Sequence, residues 1–159
     1  MDYKIEEINV LSKIEKLELT IPNKLAFFPE NLISAETKDD FIFTESMSDL
    51  NKLFRQGNID ITTLGYDTEL YRSLKSADIY LPAIFFGLSQ ISENSTVESV
   101  SLNVISNYVY DLCKGSLGKK TAHVDLYIET KEKGKLKKLS YKGGVEGLKD
   151  LEKIIKAMK

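Results

Sequence analysis

The stretch from Ser95 to Lys114 constrains this chain more than any other. Ser95-Thr96-Val97-Glu98 has the SxxE spacing of a capping box, in which the Ser and Glu side chains each accept a backbone N–H from the other's residue. Val97, Val100, Val104, Ile105, Tyr108, Val109 and Leu112 then recur at steps of three and four, and Gly115 supplies a stop. A helix with so wide an apolar stripe needs a layer to pack on, and the next segment provides one. Ala122 to Thr130 and Leu136 to Lys142 read as the strands of a hairpin around Glu132-Lys133-Gly134-Lys135, with Val124, Leu126 and Ile128 on one face. After Gly143-Gly144, the residues Val145, Leu148, Leu151, Ile155 and Met158 mark a terminal helix whose last turns are lysine-rich, as the negative end of a helix dipole favours. The expectation is an α+β fold: a mixed sheet including this C-terminal hairpin, packed against helices 95–114 and 145–158. One domain over 1–159 is expected, divisible into sub-lobes 1–92 and 95–159.

The first half is harder to read. Leu17, Leu19 and Ile21 alternate with Glu18 and Thr20, which predicts a strand ended by Pro22. Residues 2–12 fit neither a strand nor a helix period, and residues 24–38 read as a connection with one helical turn after Pro29. Phe41 to Thr44 predicts a short strand. Ser46 follows as a helix N-cap, with Met47, Leu50, Leu53 and Phe54 on one helical face and Gly57 as a left-handed stop. Ile59 to Thr62 gives another brief strand, and Asp67 caps a helix carrying Leu70, Tyr71 and Leu74. Ile79 to Phe86 is an apolar segment that Pro82 assigns to an edge strand or a broken helix.

Several function classes are disfavoured. The longest apolar run, Ile79 to Leu88, is shorter than the roughly 18–20 residues a membrane-spanning helix needs, so no membrane insertion is expected. The acidic start Met1-Asp2-Tyr3-Lys4-Ile5-Glu6-Glu7 lacks the basic and apolar regions of a secretory signal, and a cytoplasmic location is expected. Cys113 is the sole cysteine, which excludes an internal disulfide and a zinc site built on several thiolates. His123 is the sole histidine and shares a strand face with Asp125, Tyr127 and Glu129. Neighbours on that face stand roughly 7 Å apart, so a metal there would need ligands from elsewhere. Neither the nucleophile elbow, the HExxH zinc motif nor P-loop spacing occurs. No catalytic residue, metal ligand or cofactor is assigned. The rival reading is a small-molecule-binding domain or small enzyme using the strand face around His123.

Charge is segregated along the chain: residues 1–113 carry an acidic excess of −9 and residues 114–159 a basic excess of +7. The tail's cations are all lysines, without an arginine to read base edges, so residues 114–159 suit at most weak, salt-sensitive binding of nucleic acid. The favoured reading is a lysine-rich surface facing the acidic half. A protein partner or self-association is expected through an exposed part of the hairpin, with His123, Asp125, Tyr127, Glu129, Lys137 and Lys138 as the candidate interaction surface.

Taken together, the apolar segment 79–88, the capped helix 95–114, the hairpin 121–142 and the terminal helix 145–158 resemble the effector-associated constant component family of bacterial conflict systems. Gly144-Val145-Glu146-Gly147-Leu148 through Met158 is similar to that family's closing helix. The resemblance covers about half the chain and rests on element order, while the first 60 residues depart from it. It implies a small α+β protein that serves as a shared adaptor beside variable effectors, with no catalytic residues to transfer. The expected function is therefore a non-catalytic protein-interaction or adaptor module.

Overall fold

Both hairpin strands lie inside a larger sheet. In the computed structural model, which describes residues 2–22, 24–65, 71–72, 78–87, 95–114, 121–148 and 150–157, strand β8 (Ala122–Glu129) pairs antiparallel with β9 (Lys135–Gly143). The outer side of β9 is taken by β1 (Asp2–Asn9), antiparallel from Asp2↔Lys142 to Asn9↔Lys135. The other side of β8 holds the short parallel strands β6 (Ile79–Tyr80) and β7 (Ala83–Phe86). Next come β2 (Ala26–Phe28), antiparallel to β7, and β4 (Thr62–Thr63), parallel to β2. The order is β1-β9-β8-β7-β2-β4, and β3 (Phe43–Thr44) with β5 (Tyr71–Arg72) forms a separate parallel ladder. The mixed α+β architecture expected from the hairpin and its helices is present.

Parallel neighbours need crossover connections, and helices supply them. Helix α2 (Met47–Gln56) lies between β2 and β4 in the chain, and α3 (Ser95–Cys113) between β7 and β8. Helix α1 (Leu11–Lys16) follows β1, while α4 (Val145–Leu148) and α5 (Leu151–Ala157) close the chain.

One sheet face carries Leu126 and Ile128 of β8, Leu139 and Tyr141 of β9, Ile84 and Phe86 of β7, and Phe27 of β2, all buried. The Phe27 ring lies 6.0 Å from that of Phe54 in α2. Since α2 packs on α3, and α3 on α4 and α5, the four helices share this face. Helix α3 buries Leu102, Ile105 and Val109 together with Ser101 and Ser106, whereas Val100, Val104 and Tyr108 are half-buried and Leu112 is exposed. The stripe is thus rotated from the expected one. Flanked by α2 and by α4 and α5, the helix is covered over a wide arc, and small serines let the neighbours approach. The Ser95 and Glu98 side chains and Gly115 lie outside what is described.

The opposite face is apolar as well where it meets β2. The rings of Phe28 and Phe85 stack at 4.8 Å with planes 6° apart, and Tyr127 lies 5.2 Å from Phe28. Helix α1 sits at the hairpin-turn end, where Val10 N–H donates to the Gly134 carbonyl at 2.8 Å. Gly134 has φ +80, and a Cβ there would lie 2.6 Å from Leu11 Cβ, so both conformation and space require glycine. At the far end of β9, a Cβ on Gly143 would meet Tyr141 Oη at 2.6 Å, and that hydroxyl donates to the Gly144 carbonyl at 2.5 Å.

Several local expectations are corrected. Residues 17–21 form no strand, because α1 ends there in a Schellman motif: Leu19 N–H bonds the Ile14 carbonyl at 2.9 Å, Glu18 N–H bonds that of Glu15 at 3.1 Å, and Glu18 takes φ 54. Gly57 has φ −85, and it is Asn58 that turns left-handed at φ 59. Ser46 stands at the N-cap position, but its hydroxyl donates to the Tyr80 carbonyl at 2.9 Å instead of capping α2. Tyr71 belongs to β5 and not to a helix; Asp67, Leu70 and Leu74 lie outside the described residues. The terminal helix divides into α4 and α5, with Asp150 N–H bonded to the Gly147 carbonyl at 3.1 Å.

The segment 79–86 is not a helix: β7 is a central strand between β8 and β2, β6 pairs with β8, and Pro82 marks a bulge between the two. Three residues (81–83) separate Tyr80 from Ile84, whereas two (124 and 125) separate their partners His123 and Leu126. The extra residue bends the strand at the one position without a backbone donor. It also resets the alternation, so that Tyr80 and Phe85 share a face.

The burial pattern of α3 makes a prediction. Val109→Asp, at a site 1% exposed, should cost upwards of about 4 kcal/mol by burying an unpaired charge. Val104→Asp, at a half-buried position, should cost about half as much or less. Urea unfolding of both variants checks the order; equal losses would contradict the rotated stripe.

Candidate functional site

The bulge leaves a cleft of about 440 Å³ on the sheet face of Tyr80 and His123. Adjacent strands bring Lys4, Ser140 and Asp125 into one row across β1, β9 and β8. His123 and Lys142 face each other one row further along. Glu30, just past β2, and Thr44, at the end of β3, also line it.

Two contacts hold the imidazole. The His123 ring stacks on Tyr80 with centroids 4.4 Å apart and planes 4° apart. Its Nε2 lies 2.9 Å from Asp78 Oδ2. A carboxylate accepts but does not donate, so Nε2 carries the hydrogen in this pair. Thr44 is only 6% exposed, and its Oγ1 has no hydrogen-bond partner among the described residues. The cleft therefore combines an aromatic platform, an oriented imidazole, hydroxyls, two lysines and two carboxylates. Among the described residues no three His, Cys, Asp or Glu side chains are grouped to hold a metal ion.

The six residues of the expected interaction surface are dispersed. His123 and Asp125 line the cleft. Tyr127 is buried, 2% exposed, and burial, aided by Asp125 and Glu6, pushes its phenol well above the ordinary range. Lys138 lies over the Tyr127 ring at 5.7 Å and 4.0 Å from Asp125 Oδ2. Glu129 lines a separate hollow beside α1 and the hairpin turn, and Lys137 is on the other sheet face, opposite Glu7. The basic strand β9 faces acidic β1 directly, with Glu6↔Lys138, Glu7↔Lys137 and Asp2↔Lys142 in register. Part of the charge segregation is thus consumed within the fold. Tyr80, Thr44, Glu30, Lys4 and Ser140 were not legible as neighbours of His123, although Pro82 flagged the irregularity that assembles them.

An acidic hollow next to this cleft contains Glu45, Asp49, Asp78 and Tyr108. Tyr108 Oη donates to Asp49 Oδ2 at 3.3 Å, and burial first, then the Asp49 charge, pushes its phenol up to about 12. Folding favours the neutral phenol, so this contribution is intact below the ordinary tyrosine value of 10.0 and is lost as pH rises toward about 12. Tyr108→Phe should blunt the fall of melting temperature across that window; an unchanged alkaline profile would contradict the assignment. Thr44→Val should raise stability by about 1 kcal/mol by removing an unsatisfied hydroxyl, and a loss measured by urea unfolding would reveal a partner for it. No membrane-spanning candidate occurs among the described helices, none being long and apolar enough to cross. Compared with protein-family models, curated proteins and solved structures, the chain matches none, and the reading of its site rests on its own geometry.

Proposed function

We propose that this chain is a non-catalytic protein-interaction module whose contact surface is the outer edge of β1. The expected surface, an edge of the hairpin, is occupied on both sides, by β1 and by β6 and β7. The long strand β1 ends the sheet on this side, opposite the two-residue β4, and has no strand on its outer side among the described residues. This observation carries the proposal. Antiparallel pairing alternates the direction of the backbone groups, and the Val10-to-Gly134 bond fixes the phase: even-numbered residues of β1 face β9. The N–H and C=O groups of Tyr3, Ile5 and Glu7 therefore point outward. Tyr3 and Ile5 are 49% and 43% exposed, and no proline or bulge interrupts the eight residues. An adaptor role in a bacterial conflict system, in the cytoplasm, accords with the resemblance of the second half to that family of shared components.

Ile5→Pro tests this reading. The lost N–H points away from β9, so the sheet should survive, while a pairing strand would lose a donor and meet the pyrrolidine ring. Association measured by sedimentation should weaken at least about tenfold with little change in melting temperature. Association that survives Ile5→Pro unchanged would refute the edge as the contact surface.

A second reading, a small-molecule site in the His123 cleft, is favoured by the Thr44 hydroxyl, which has no partner among the described residues, and by the Tyr80 platform. It expects native mass spectrometry of the purified chain to show a bound small molecule that Tyr80→Ala removes.

A further inference from the structure

We infer that the strand accepted by β1 is β1 of a second copy, antiparallel about a twofold axis at Ile5, so that two sheets join into one. This rests on the reading of β1 as an association edge and names its occupant. A twofold pairing through outward-facing groups must set odd-numbered residues opposite odd-numbered ones, which leaves few registers. Centring the axis on Lys4 sets Lys4 opposite its own copy, and centring it on Glu6 sets Glu6 opposite Glu6. Centring it on Glu7 repeats the like-charge clash, and centring it on Tyr3 leaves only a stub of overlap. At Ile5 the conflicts vanish: Lys4 lies opposite Glu6 of the second copy, Glu6 opposite Lys4, and Tyr3 opposite Glu7.

The backbone phase agrees with this register. Ile5, Tyr3 and Glu7 are the residues whose N–H and C=O groups point outward, so Ile5 exchanges both bonds with its copy. The Lys4–Glu6 pairs then fall at the non-hydrogen-bonded positions, where opposed side chains approach most closely. Within one chain these two side chains already form an ion pair at 2.5 Å, and Lys4 holds the Glu6 carboxyl below the usual range through a hydrogen bond and its charge. Both ends of the pair can therefore be shared across the axis. The exposed Tyr3 and Ile5 side chains lie together on one face of the joined strands. The interface is a single strand pair, so affinity should be micromolar or weaker, on the order expected for small interfaces.

Charge variants test the register. Lys4→Glu and Glu6→Lys each place like charges opposite one another, and each alone should weaken the dimer at least about tenfold by sedimentation equilibrium. Mixed in equal amounts, they should re-form a heterodimer, because every opposed pair is again of opposite sign. Ile5→Cys, in a Cys113→Ser background, should give a covalent dimer on mild oxidation, since hydrogen-bonded antiparallel partners lie about 5.5 Å apart. Failure of the mixture to associate, or a wild-type chain that stays monomeric at millimolar concentration, would overturn the dimer. Amide exchange in that monomer separates the two claims. Fast exchange at Tyr3, Ile5 and Glu7 would leave the edge open to a different strand, so only the dimer fails; slow exchange would mean the chain covers its own edge, and both fail.

Discussion

The rest of the fold depends on β8. It is paired antiparallel on one side and parallel on the other, and Leu126 and Tyr127, adjacent and pointing to opposite faces, are 0% and 2% exposed. A strand satisfied at both edges and covered on both faces has no freedom to shift, since a one-residue slip would send every apolar side chain to the wrong face. Its register with β9 places β1, and its register with β7 places β2 and then β4. The helices follow, because the crossover through α3 delivers the chain to β8, and α4 and α5 pack back on that helix.

The bulge at Leu81-Pro82 is where this order relaxes. A proline in a central strand removes a ladder donor, and here the irregular backbone absorbs the loss. The extra residue turns Tyr80 onto the face of His123 and leaves the space that Thr44, Glu30 and Ser140 line. The feature that threatens the sheet is thus the one that makes its cleft.

The second half was legible because its signals are local and mutually consistent: an alternating hairpin, a long helix with apolar residues at steps of three and four, and a stop at paired glycines. The first half was not. Ala26-Phe27-Phe28 is a three-residue central strand with no alternation to betray it, since both of its faces are covered. Leu17-Glu18-Leu19 imitates a strand period, yet its alternation arises from the turn that closes α1. The same difficulty hid Tyr127, whose place on the polar side of the hairpin suggested exposure. Phe28 and Phe85 cover it, and neither could be positioned without the strand order. The cleft's residues come from distant parts of the chain, so only His123 and Asp125, two apart on one strand, were visible together.

The pairing of β1 with β9 also sets an order of events. As the chain is made, β1 is the first of these strands to emerge, and its partner is the last, about 140 residues later by the register Asp2↔Lys142. Until then it has no neighbour, and contacts of such long sequence separation slow folding while exposing unpaired edges. Its composition suits that wait. Charges recur between Tyr3, Ile5 and Ile8, so the strand is poor material for indiscriminate aggregation before its lysine-rich partner arrives. Translation paused before β9 would therefore leave a nascent chain with β1 unclaimed, at the stage when a neighbouring ribosome on the same message could present an identical strand.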